Sequence, residues 1–292
     1  IKFDSTTLII YVKVMKKIIL VLISIVIFSC KSQTKISKDV INVLIVGNSL
    51  TYYHNMPQTL QEILKETDPH INIEQSTFPG MPLSGHLNQI ITSSSESEVS
   101  TRLKMTGEKT ETEKKIEEKK WDIIILQTGT ISVLIPENRR YKINNAISDI
   151  RRLVNNPKCK FILFNTWASK DEYPKEYCYP CTLIDESIES AKCCSPVINN
   201  LRQEVSVINE AYEKLATDNN LIRSDNGTKF FETQLKHPEI ELYDDNSHPS
   251  KFGSFLNACI FYQMLTDKKA SALNYNGEIE PEKSKLLKDM AD

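Results

Sequence analysis

Val40–Val46 (VINVLIV) runs straight into Gly47-Asn48-Ser49-Leu50-Thr51. An apolar, β-branched run without polar alternation is the pattern of a strand buried on both faces, as in a parallel sheet. The glycine at its end permits a tight turn and leaves Ser49 at the strand tip, where a serine is well placed to act as a nucleophile. Gly-Asn-Ser is also common turn chemistry, so these three residues do not settle the point alone.

Outward from this strand, apolar runs and helical patterns alternate. Pro57–Glu66 has apolar residues at Leu60, Ile63 and Leu64, a helical spacing, and Ile71–Gln75 is a short second strand ended by Phe78-Pro79-Gly80. Leu83–Ile91 reads as a helix, and the polar, mixed-charge Ser93–Lys120 as a solvated helix or loop. Trp121–Gln127 and Lys160–Thr166 are further buried strands, separated by a helix over Asn144–Asn155. Ala168–Pro196 is a cysteine-rich surface excursion, followed by an amphipathic helix over Val197–Asn219 and a short strand over Leu221–Arg223. A helix over Ser250–Leu265, its start marked by Pro249, closes the fold. Strands joined through helices imply right-handed crossovers. The expected fold is a three-layer α/β/α sandwich, flavodoxin-like, with a doubly wound parallel sheet of about five strands. Functional residues gather at the carboxyl ends of such strands.

One such block lies near the far end of the chain. Asp244-Asp245-Asn246-Ser247-His248-Pro249 places a carboxylate three residues before a histidine and just ahead of a helix. That spacing lets Asp245 bond one imidazole nitrogen of His248 and leave the other free, as a general base for a serine hydroxyl requires. A helix cap beside a surface histidine has the same sequence, and His237-Pro238 repeats part of the pattern.

The pairing of these two blocks across an α/β sheet resembles the SGNH/GDSL hydrolases, over about residues 40–265. That family carries its nucleophile in a Gly-Asp/Asn-Ser-Leu/Phe block after the first strand and its Asp and His in an Asp-x-x-His block before the last helix. Here the blocks read Gly47-Asn48-Ser49-Leu50 and Asp245-Asn246-Ser247-His248, and Gly253–Tyr262 is similar to the family's closing helix. The resemblance implies a serine esterase with Ser49, Asp245 and His248 as catalytic residues. It also implies an oxyanion hole from the amides of Ser49 and Gly80, with Gly85 as a competing choice. The third family block, Gly-x-Asn-Asp, is absent: Ile131 and Ser132 stand where Asn and Asp are expected, and Gln127 is the alternative amide donor. Trp167 and Tyr52-Tyr53-His54 are candidates to line the cleft. The implied substrate is an O-acetylated carbohydrate; a glycan-binding protein that uses the same cleft without catalysis is the alternative.

Composition bounds the rest. Of 292 residues 40% are apolar and 25% charged, with a net charge of −2, so the chain has a sizeable core and no field directed at nucleic acid. No G-x-G-x-x-G follows a strand and no Walker-type loop is present, so no cofactor is expected. Met15-Lys16-Lys17, the apolar Ile18–Phe28 and Ser29-Cys30 have the parts of an export signal and resemble a bacterial lipoprotein signal with Cys30 as the acylated residue; a plain signal peptide and a short membrane anchor are the other readings. Residues 1–14 then lie upstream of the natural start, 31–39 form a tether, and 40–292 the hydrolase domain with its insertion at about 168–196. The expected location is outside the cytoplasm, with membrane contact through the lipid only. Cys159 and Cys259 read as packing residues. Cys178, Cys181, Cys193 and Cys194 suit either a zinc site or two disulfides. Adjacent cysteines chelate poorly and an exported chain meets oxidising conditions, which favours disulfides with no metal. The sequence leaves their pairing and the oligomeric state open.

Overall fold

The computed structural model describes Met15, residues 39–95 and residues 97–292. Apart from Met15, the segment expected to be an export signal, with Cys30, lies outside these residues, and no helix among them is long and apolar enough to cross a membrane.

Residues 40–292 form one compact unit around a five-stranded, all-parallel sheet. Its strands are β1 (Ile41–Gly47), β2 (Ile71–Thr77), β5 (Ile123–Leu126), β6 (Lys160–Leu163) and β9 (Ile222–Arg223), in the order β2-β1-β5-β6-β9. Counted along the chain that order is 2-1-3-4-5, the flavodoxin-like arrangement, whose switch point lies between the first and third strands. Alternate residues of β1 face opposite layers. Val43 and Ile45 join one apolar cluster, with Leu60 and Ile63 of the helix Met56–Thr67 and Phe261 of the helix Lys251–Thr266. Leu44 and Val46 join the other, with Ile147 of the helix Asn144–Leu153 and Tyr212 of the helix Leu201–Asn219. All four β1 side chains are fully buried, each stabilising the fold by about 1.5–3 kcal/mol. The expected three layers are present.

Three expectations need correction. The helix over Leu83–Ile91 is only one turn, Gly85–Asn88, and the chain then enters an antiparallel ribbon of β3 (Gln89–Ser94) and β4 (Val99–Leu103). This ribbon is largely solvent-exposed, so it carries no apolar alternation to announce it. Within Ser93–Lys120 a capped helix, Glu111–Glu117, follows the ribbon. The helix Lys251–Thr266 does not end the fold, because a further helix, Pro281–Ala291, buries Leu287 and Met290 against the same layer.

The insertion carries a second short ribbon, β7 (Cys178–Pro180) against β8 (Lys192–Cys194), closed by the disulfides Cys178–Cys194 and Cys181–Cys193. Cys259 is buried and Cys159 half-buried, both as free thiols.

Candidate active site

Ser49 follows β1 directly, at the topological switch point. Asn48 caps the short helix Ser49–Tyr52, its side-chain oxygen accepting from the Leu50 N–H at 3.1 Å. The Asn48 amide nitrogen donates to the Met81 carbonyl at 3.3 Å, which ties the Ser49 turn to the loop after β2. In that loop Phe78-Pro79-Gly80-Met81 forms a turn closed by the Met81 N–H on the Phe78 carbonyl at 3.2 Å. Gly80 has φ of +59°, which the third position of a type II turn requires and glycine adopts without strain. Among the described residues neither the Ser49 N–H nor the Gly80 N–H meets a protein acceptor, and both residues line the same cleft. Gly85 is buried outside it, against the Met81 sulfur.

Asp245 and His248 come from the turn before the helix Lys251–Thr266. Asp245 Oδ1 accepts from the backbone N–H groups of Ser247 and His248, each at 2.7 Å, and Oδ2 accepts from His248 Nδ1 at 2.6 Å. Burial alone would raise the Asp245 carboxyl, but these three donors and the nearby imidazole bring it down to about 2. Because the carboxylate only accepts, Nδ1 carries the ring proton. Nε2 is left to accept from Ser49 Oγ at 2.9 Å. The structure therefore brings Ser49, His248 and Asp245 into one hydrogen-bonded line across a sequence separation of 199 residues.

Gln127 lies elsewhere. Its Oε1 accepts from the Asn48 N–H at 2.7 Å and from Thr51 Oγ1 at 3.0 Å, underneath the Ser49 turn. The side chain is fully buried, Nε2 has no partner among the described residues, and the residue does not line the cleft. This corrects the expectation of Gln127 as an oxyanion donor: the donor nitrogen is buried away from the cleft, and the oxygen holds the turn. A Cβ on Gly47 would lie 2.6 Å from that same Oε1, which explains the glycine at the strand end.

Several contributors were not legible in the motifs. His86 is fully buried below β1, where Nε2–H donates to the Gly47 carbonyl at 3.0 Å. Nδ1 therefore accepts from Thr112 Oγ1 at 2.7 Å, and Thr112 accepts from Ser76 Oγ at 2.9 Å. Tyr53 stacks on the His248 ring at 4.1 Å between centroids and 8° between planes, although Tyr52, Tyr53 and His54 do not line the cleft. Trp167 does line it, and its Nε1–H donates to the Ser247 carbonyl at 2.9 Å. The insertion grips the same turn: the Lys170 N–H donates to the Asn246 carbonyl at 2.8 Å and Asn246 Nδ2 to Asp171 at 3.2 Å. A buried Lys175–Glu204 pair at 2.7 Å fastens the insertion to the helix Leu201–Asn219.

The cleft, about 350 Å³, is walled by Gly129–Ser132 on one side and by Asp171, Tyr177 and Tyr179 of the insertion on the other. Ile131 and Ser132 both reach it, in the place of the missing Asn and Asp. Glu176, Cys178 and Cys194 lie close enough together for a metal, but the two sulfurs are bonded to each other and no thiolate is left to ligate one.

No protein-family model matches this chain, and no curated protein matches it. Solved structures do. A DUF4886 family protein from Bacteroides uniformis is similar over 87% of this chain and 93% of its own, at 19% identity and a TM-score of 0.64. A candidate SGNH hydrolase from Slackia heliotrinireducens is similar over 78% of this chain and 100% of its own, at 18% identity and a TM-score of 0.52. An acetyl xylan esterase variant from Geobacillus stearothermophilus covers 78% of this chain and 95% of its own at 14% identity, with a TM-score of 0.48, a likeness of general layout only. The strand order and the first two of these neighbours show that the chain shares its fold with the candidate SGNH hydrolase from Slackia heliotrinireducens.

Proposed function

We propose that this protein is a serine esterase that cleaves O-acetyl groups from carbohydrate outside the cytoplasm. The observation that carries the reading is the line Asp245–His248–Ser49, at 2.6 and 2.9 Å, opening onto a cleft with two unengaged amides beside the nucleophile. His248 Nε2 takes the Ser49 proton as Oγ attacks the ester carbonyl carbon, and Asp245 stabilises the imidazolium. The oxyanion is held by the N–H groups of Ser49 and Gly80, donors worth roughly 3–4 kcal/mol each in the transition state. The C–O bond to the sugar breaks, His248 returns the proton to the leaving oxygen, and water then frees acetate from Ser49 by the same steps. The carbohydrate assignment is supported by a cleft that mixes polar side chains such as Ser169 and Asn246 with the aromatic rings of Trp167, Tyr177 and Tyr179. Export and anchoring through Cys30 are supported by the segment from Met15 to Cys30 and by the two disulfides.

The test is hydrolysis of p-nitrophenyl acetate and of acetylated oligosaccharides by the native protein and by Ser49→Ala. Turnover should fall by several orders of magnitude in the variant. Native protein that binds glycan but releases no acetate would instead favour a binding protein.

A further inference from the structure

The catalytic cleft continues into a second cavity of about 280 Å³, and the two share Gly80, Pro82, Ser132 and Tyr179 as a common rim. Their charged groups differ in sign. The cleft carries Asp171, with Glu204 already paired to Lys175, whereas the one charged residue of the second cavity is Lys142, half-buried and without a carboxylate in ion-pair range among the described residues. On its floor Thr128 is fully buried with an Oγ1 that meets no partner there. A buried hydroxyl left in this way is uncommon unless a ligand or water completes it. The insertion contributes the apolar side through Leu183 and Ile184.

We propose that this cavity is a second subsite that takes a sugar unit bearing a carboxylate, next to the unit whose ester lies at Ser49. Lys142 pairs with the carboxylate, and Thr128 offers its hydroxyl to the ring oxygens. One lysine balances one negative charge, as a sugar carboxylate carries, whereas a phosphate monoester carries about −1.5 to −2 at neutral pH and Lys142 is the one charged residue that lines the cavity. The subsite rests on the carbohydrate-esterase reading and assigns its substrate class, an acidic glycan.

The experiment compares acetylated oligogalacturonate, acetylated xylo-oligosaccharide and p-nitrophenyl acetate as substrates of the whole protein and of Lys142→Gln. Loss of a charge-assisted contact should lower kcat/KM for the acidic oligomer on the order of tenfold, through KM. The neutral oligomer and p-nitrophenyl acetate should be unaffected, and Lys142→Arg should keep most of the preference. Equal rates for the two oligomers in the native protein, or a preference that survives Lys142→Gln, would overturn the proposal. Calorimetric binding of the acidic oligomer to Ser49→Ala, with and without Lys142→Gln, reads the subsite without turnover. A subsite that binds in a protein with no esterase activity would thus refute the esterase reading alone.

Discussion

His86 gives this protein a stability that depends on acid. The ring is fully buried, and burial pulls its pKa from an ordinary 6.5 down to about 4, against a smaller opposing pull from the Gly47 carbonyl. The native state therefore refuses a proton that the unfolded chain accepts below pH 6.5. Stability is intact above that value, falls as the pH drops towards 4, and levels off below it. At 1.36 kcal/mol per unit, the loss between pH 8 and pH 4 is about 3 kcal/mol from this one residue. Because the side chain is enclosed, no screening by solvent reduces the figure. That is a large part of the 5–15 kcal/mol of a typical domain.

Carboxylates titrate over the same range, so the contribution has to be isolated. Urea unfolding of native protein and His86→Gln, at matched ionic strength from pH 8 to pH 4, does so. The variant should be the less stable at pH 8, and the gap should narrow by about 3 kcal/mol by pH 4. Two stability curves that stay parallel across the range would refute the reasoning, as would a His86 ring resonance that titrates near pH 6.5.

Asp245→Asn should leave KM nearly unchanged while kcat falls about 10⁴-fold in an esterase assay, because an amide no longer fixes the proton on Nδ1. Tyr53→Leu removes the ring stacked on His248, and at about 0.5–2 kcal/mol for a ring over a cation, kcat should drop roughly 2- to 30-fold while Tyr53→Phe stays near native. Gln127→Leu strips two buried donors, the Asn48 N–H and the Thr51 hydroxyl, of their acceptor. It should cost about 2–5 kcal/mol in chemical unfolding.

How far the sequence alone reaches depends on how local each signal is. β1 and the Asp245–His248 turn were legible because each is written in fewer than ten consecutive residues, and the chemistry of each needs those residues in that order. The β3–β4 ribbon was not, since an element that buries little leaves no periodicity behind. Gln127 was read as a donor because its type and place suit one. Only the packing shows that its oxygen faces the Asn48 amide, which the glycine at position 47 makes room for. His86 and Tyr53 act through partners up to 195 residues away along the chain, and nothing beside either marks it out.

The site also explains why the insertion sits where it does. Ser49 sits on a buried strand end that Gln127, Asn48 and His86 hold by hydrogen bonds. The turn that carries Asp245 and His248 is exposed and has no such support from the sheet. Its backbone carbonyls are held instead by Trp167 at position 247 and by Lys170 at position 246, with Asp171 on the Asn246 side chain. All three follow β6, and the segment they begin is tied down by the Lys175–Glu204 pair and closed by two disulfides. A catalytic geometry tolerates displacements of only about half an ångström. The insertion therefore holds the Asp245–His248 turn in register at one end while its ribbon lines the cleft at the other, and on the proposed reading loosening it should affect kcat as well as substrate choice.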